Sequence, residues 1–253
     1  MAEVNLLVDI GNSTLHLALA EGTRIIWHED LPAGSRKFEV KNLKTRGALI
    51  TGVGIASVVP DFTPAFAELA RTQLGLEPLI VSHKIRTGLR LDYRPRSSLG
   101  PDRIANAIAA HSLYPGNTIV VDMGTATTIE VVTREGVFTG GAIMPGLPLM
   151  LAALRLGTAR LPPVKPGVPG RLPATGTVEN IRAGAFHAHF AGINAAISGI
   201  QRETKRKYRI IATGGLSTDF GRWIHGVESV TPLLTLQGIA IALQLNSLRR
   251  QNG

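Results

Sequence analysis

Short apolar runs and amphipathic stretches alternate along this chain, separated by glycine, proline and small polar residues. Leu7-Val8 and Leu15 to Ala20 flank a polar turn and read as two strands. Thr23 to His28 is a third strand candidate. Phe62 to Gln73 has the apolar spacing of a helix, and Leu79-Ile80-Val81 is a short buried strand. Arg103 to His111 is an alanine-rich helix with Pro101 and Asp102 at its start. Val178 to Lys205 is a long helix, and Tyr208 to Ala212 is a strand closed by Thr213-Gly214-Gly215. Leu233 to Leu248 is a final amphipathic helix. Five of the 15 prolines fall within 160–176, which reads as a surface loop. The alternation predicts an α/β fold.

The pattern also repeats. Leu7-Val8-Asp9-Ile10-Gly11-Asn12-Ser13-Thr14 matches Val120-Val121-Asp122-Met123-Gly124-Thr125-Ala126-Thr127 at Asp, Gly and the last Thr, 113 residues apart. Each copy sits between apolar runs, Thr128 to Val132 following the second, and Val137 to Ile143 supplies a third strand there. A repeat this long points to duplicated domains, not a solenoid. The expected boundary lies at Tyr114-Pro115-Gly116-Asn117, giving domains 1–115 and 116–253.

Composition narrows the chemistry. With 253 residues and 44% hydrophobic content the chain can bury a sizeable core. It has no cysteine, which excludes a disulfide scaffold, an iron–sulfur protein, a thiolate zinc site and a cysteine nucleophile. No apolar run approaches the roughly 20 residues a bilayer needs. Met1-Ala2-Glu3-Val4-Asn5 lacks a basic n-region, so the expected location is the cytoplasm. The net charge is +9; residues 1–115 carry +2 of it and residues 116–253 carry +7. Such a balance suits nucleic acid, an acidic membrane surface or a phosphate-bearing substrate, and also a plain solvated surface. Nucleic acid is disfavoured: Lys84 to Arg103 holds six cations but one aromatic, Tyr93, too few for a stacking platform. Lys205-Arg206-Lys207 reads as a solvated helix end.

Three places carry candidate chemistry. Asp9-Ile10-Gly11-Asn12-Ser13-Thr14 puts a carboxylate at a strand end before a glycine-bearing polar turn. Backbone N–H groups and hydroxyls there can hold phosphate oxygens, and the carboxylate can hold Mg²⁺ through water. An ordinary hairpin is the plain alternative, and the second copy weakens it. Neither a Walker A loop nor a G-x-G-x-x-G occurs. In Gly100-Pro101-Asp102-Arg103, Asp102 is a general base or a helix cap, and both hold if the cap faces a cleft. Gly140 to Gly146 allows close backbone approach or a tight turn. The histidines are scattered, and His187 and His189 do not share a helix face, so they make a poor metal pair.

Together with Gly157 to Pro162 and Ala212-Thr213-Gly214-Gly215-Leu216, these motifs resemble the type III pantothenate kinase family, also called the Bvg accessory factor family. The resemblance covers nearly the whole chain. It implies the actin-like ATPase fold, two ribonuclease-H-like domains around a cleft, and phosphorylation of pantothenate by ATP on the way to coenzyme A. It implies that Asp9, Gly11, Asn12, Ser13, Thr14, Leu15 and His16 line the ATP phosphates and Mg²⁺, and that Thr125 touches ATP. Asp102 is then the base, and Tyr93, Gly100, Pro101, Asp102, Arg103 and Thr177 contact pantothenate. Asp122 holds a monovalent cation, K⁺ or NH₄⁺. The family also implies a homodimer. The chain departs from the family's usual pattern at Ser13-Thr14-Leu15-His16, which lacks a lysine, at Thr175-Gly176, and at Tyr93-Arg94-Pro95. Two other readings stand beside the kinase: a catalytically weak regulatory or nucleotide- or nucleic-acid-binding member of the family, and a sugar or acetate kinase on the same fold.

Overall fold

A computed structural model describes residues 2–33 and 47–247. The first strands form a meander: β1 (Glu3–Ile10), β2 (Thr14–Glu21) and β3 (Arg24–Pro32). β1 pairs antiparallel with β2, and β2 with β3. β4 (Leu49–Ser57) then runs parallel to β1 on its other side. Helix α1 (Thr63–Leu74) crosses back to β5 (Leu79–Ile80), parallel to β4. The sheet order is β3-β2-β1-β4-β5.

β6 (Arg90–Leu91) and helix α2 (Pro101–Leu113) precede the second set. That set comprises β7 (Thr118–Met123), β8 (Ala126–Val132), β9 (Val137–Pro145), α3 (Leu147–Leu156), α4 (Thr177–Thr204) and β10 (Arg209–Thr213). Short helix α5 (Ser217–Phe220), β11 (Val227–Val230) and α6 (Leu234–Ser247) complete it. Its strands lie in the order β11-β10-β7-β8-β9, with β6 added beyond β9. Read backwards, β9-β8-β7-β10-β11 reproduces β3-β2-β1-β4-β5. The repeat seen in the sequence is therefore a repeat of topology. Leu248, the last residue of the expected final helix, lies outside the described residues.

Two elements carry little local signal. Gly52 and Gly54 interrupt the apolar run of β4, and α3 leaves Leu149, Leu154 and Leu156 exposed, so its pattern is not that of an ordinary amphipathic helix.

The chain divides into two units. Unit 1 takes Met1–Gly116, Val131–Gly140 and Leu233–Gly253; unit 2 takes Asn117–Glu130 and Gly141–Pro232. Contiguous domains of 1–115 and 116–253 would place α6 with the second half, but it packs on β1, β4 and α2 of unit 1. The period of two along β1 explains one core of that unit: Val4, Leu6, Val8 and Ile10 point to the same face and meet Leu15, Leu17, Leu19, Val53, Ile55 and Phe66.

Candidate active site

The two polar turns differ by one residue. In unit 1 the N–H of Gly11 donates to the carbonyl of Thr14 at 2.9 Å, closing the β1–β2 turn. In unit 2 the N–H of Gly124 donates to the carbonyl of Ala126 at 3.0 Å, so the β7–β8 turn is tighter. Asp9 and Asp122 occupy the same place, one residue before the end of β1 and of β7, and both are half-buried.

Around the first turn the expected residues divide by exposure. Asn12 and Ser13 are exposed, and Gly11 and Thr14 half-buried. The side chain of Leu15 is in the core, and its backbone lies in β2 between Ile10 of β1 and Leu31 of β3. The β2–β3 register sets His16 opposite Asp30, and the His16 Nδ1 lies 2.7 Å from the Asp30 carboxylate. The His16 imidazole is thus already paired.

The second cluster, also in unit 1, joins residues far apart in sequence. Gly100 caps α2, Pro101 is its first residue and Asp102 stands in its first turn. Pro101 loses nothing there, since a first-turn N–H has no helical partner. The N–H of Arg103 donates to Asp102 Oδ1 at 2.8 Å. Burial raises the Asp102 pKa above the usual carboxylate value, and the Arg103 N–H and guanidinium pull it partly back. Such a carboxyl is closer to proton-transfer duty near neutral pH than an exposed one. Arg103 is itself buried, its guanidinium 5.6 Å from the ring centres of both Tyr93 and Phe138, and its Nη1 lies 3.5 Å from the Tyr93 hydroxyl.

In unit 2, Asp122 and Thr125 are each framed by a glycine. Gly214 follows β10 with φ of +85°; a Cβ there would collide with the Asp122 carboxylate and sit 2.7 Å from the Met123 nitrogen. The N–H of Gly146 donates to the Thr125 carbonyl at 3.0 Å, and a Cβ on Gly146 would run into the carbonyls of Gly124 and Thr125. The glycine motifs at 140–146 and 212–216 therefore press backbone against the two ends of the β7–β8 turn. Behind that turn, buried His189 of α4 places Nε2 3.4 Å from the Thr127 hydroxyl. Burial holds the His189 pKa below the usual imidazole value, against a smaller opposite pull from the backbone of Pro145. Thr177 is the first residue of α4 and is exposed.

Single carboxylates, not cages, mark these turns: among the described residues no three His, Asp or Glu side chains gather to hold a metal. That donor set fits Mg²⁺, which keeps its waters and shares phosphate oxygens with one or two carboxylates. No helix among the described residues is long and apolar enough to cross a membrane.

The model of the type III pantothenate kinase family matches residues 5–199. The type III pantothenate kinase of Moorella thermoacetica is 32% identical to this chain, covering 96% of it and 99% of the relative. That of Dehalococcoides mccartyi (strain 195) is 33% identical, covering 97% and 99%. Among solved structures, a conserved protein from Campylobacter jejuni assigned to the Baf family of transcriptional activators superposes with a TM-score of 0.64 at 19% identity, covering 96% of this chain and 99% of that one. A glucokinase of the ROK family from Streptomyces griseus, in complex with glucose and AMPPNP, gives 0.52 at 13% identity, covering 97% and 99%. At these identities the structural likeness is one of fold, and that fold is the actin-like ATPase fold.

Proposed function

This chain belongs to the type III pantothenate kinase family, and from that premise we propose which of its residues carry the reaction. The chain is an ATP-dependent kinase that transfers the γ-phosphoryl group to the primary hydroxyl of pantothenate, on the way to coenzyme A. Asp102 is its general base. The observation that supports this role is a carboxyl at the start of α2, raised in pKa by burial and held by the Arg103 N–H at 2.8 Å.

Phosphoryl transfer asks for positioning and charge neutralisation more than for covalent chemistry. Asp102 takes the hydroxyl proton as that oxygen bonds to the γ-phosphorus and the bond to the ADP oxygen breaks. Arg103 and Tyr93 hold pantothenate, with Gly100, Pro101 and Thr177 completing its contacts. In the stretch from Gly11 to His16, the backbone N–H groups of exposed Asn12 and Ser13 and the hydroxyls of Ser13 and Thr14 receive phosphate oxygens. Thr125 contacts ATP. Asp9 holds Mg²⁺ through water; when bound, the ion neutralises phosphate charge. Asp122 holds a monovalent cation, K⁺ or NH₄⁺, where Gly214 brings backbone against its carboxylate. The protein works in the cytoplasm, and as a homodimer; exposed Leu149 and Leu156, seven residues apart on one face of α3, support the dimer.

ATP consumption with and without pantothenate, in K⁺ and then in Na⁺ buffer, tests the assignment. Turnover that requires pantothenate and rises with K⁺ is expected. ATP hydrolysis indifferent to pantothenate, together with salt-sensitive retention on DNA, would overturn it in favour of a regulatory role.

A further inference from the structure

We infer that Phe138 is a positioning residue for the pantothenate side of the site. Three contacts meet at this residue, two on its ring and one on its backbone. Tyr93 and Phe138 meet in a T-shaped arrangement, with ring centres 5.8 Å apart and planes at 66°. The Arg103 guanidinium stands 5.6 Å from its centre and 5.6 Å from that of Tyr93. The backbone adds the third: β6 runs parallel to β9 with Leu91 opposite Phe138, and the N–H of Asp92 donates to the Phe138 carbonyl at 3.0 Å. Tyr93 is the next residue, so the same residue fixes both where the Tyr93 backbone lies and how its ring is turned.

The physical need is plain. A guanidinium taken out of water loses its hydration shell, and an aromatic face is one of the few apolar surfaces that gives back electrostatic attraction. Phe138 is fully buried, so it cannot touch substrate by its own surface. Its effect passes through Arg103 and Tyr93. A ring is required, not just volume: leucine would fill most of the space but offer no negative face to Arg103 and no quadrupole to the Tyr93 ring.

This inference rests on the reading of Arg103 and Tyr93 as pantothenate contacts, and its test separates the two. Steady-state kinetics of Phe138→Leu, Arg103→Met and the double variant are measured for both substrates, with thermal unfolding of each. Phe138→Leu is expected to raise the pantothenate KM about three- to tenfold, as for loss of a desolvated cation–π contact, with the ATP KM unchanged. The double variant should lose less than the product of the two single effects, because Phe138 acts in part through Arg103 and in part through Tyr93. If Arg103→Met raises the pantothenate KM and Phe138→Leu does not, the inference fails and the substrate reading stands. If Arg103→Met leaves that KM unchanged, the substrate reading fails and takes the inference with it. A parallel rise of both KM values in Phe138→Leu would mark a purely structural role and overturn it. Should the leucine variant not fold, Phe138→Met is read by the same criteria.

Discussion

Arg103 donates its backbone N–H to Oδ1 of Asp102 at 2.8 Å, so the carboxylate proposed as the base is oriented by its own neighbour in the chain. Asp102→Asn keeps the shape and removes the proton acceptor. It should lower kcat by about 10²–10⁴-fold, with a much smaller change in either KM. Because burial raises this pKa on folding, the group favours the fold only while protonated, and that benefit fades as pH rises through the folded value. The asparagine variant should therefore unfold at neutral pH no more readily than the parent. The acid limb of the parent's kcat/KM profile should fall at a higher pH than an exposed aspartate would give. Undiminished turnover by Asp102→Asn would remove Asp102 from the base's role.

Asp122 is proposed to serve a cation, not the chemical step. Asp122→Asn should abolish the difference between K⁺ and Na⁺ buffers and raise the ATP KM. A variant that still responds to K⁺ would show that the ion is held elsewhere.

Gly214 has φ of +85° and no room for a Cβ beside Asp122 and Met123. Gly214→Ala should cost about 1–2 kcal/mol from the backbone conformation alone, and more from displacement of the β10–α5 loop. Chemical denaturation reads the first effect. Weakened K⁺ activation in the folded fraction reads the second.

His189 supplies a dependence of opposite sign to that of Asp102. Its pKa falls on folding, so in acid the unfolded chain binds a proton that the folded chain refuses. Stability should rise with pH through the window just below the ordinary imidazole value, by at most about 1.4 kcal/mol per pH unit. In His189→Gln that slope should be gone. Urea unfolding at pH 5.5 and pH 7.5 compares the two chains, and an unchanged slope in the variant would assign the acid sensitivity to another group.

The duplicated strand–turn–strand was legible because Asp9/Gly11 and Asp122/Gly124 recur in like surroundings, and a turn is a local event that its own residues specify. Helix α2 was legible for the same reason, through Pro101 and Asp102. The placement of α6 was not: its apolar face says that it packs, and only the tertiary structure says that it packs on β1 and β4. The role of Phe138 is not legible in the sequence because nothing within a few residues shows what it meets; Tyr93 and Arg103 lie 45 and 35 residues before it. The one hint was an aromatic two residues ahead of Gly140-Gly141 in a chain with only 5% aromatic residues. The family resemblance is what sets His16 among the phosphate contacts. The β2–β3 register, which gives it Asp30 as a partner, is a property of two strands and not of one.

The return of α6 to the first sheet has a consequence for how the chain is made. A ribosome finishes every strand of the β3-β2-β1-β4-β5 sheet, and then the whole of unit 2, before it reaches Leu234. Until then the side of β1 and β4 that α6 will cover faces solvent or a chaperone. The N-terminal unit is thus the first begun and the last completed, and truncation just before Leu234 should expose apolar surface in the part of the protein synthesised earliest.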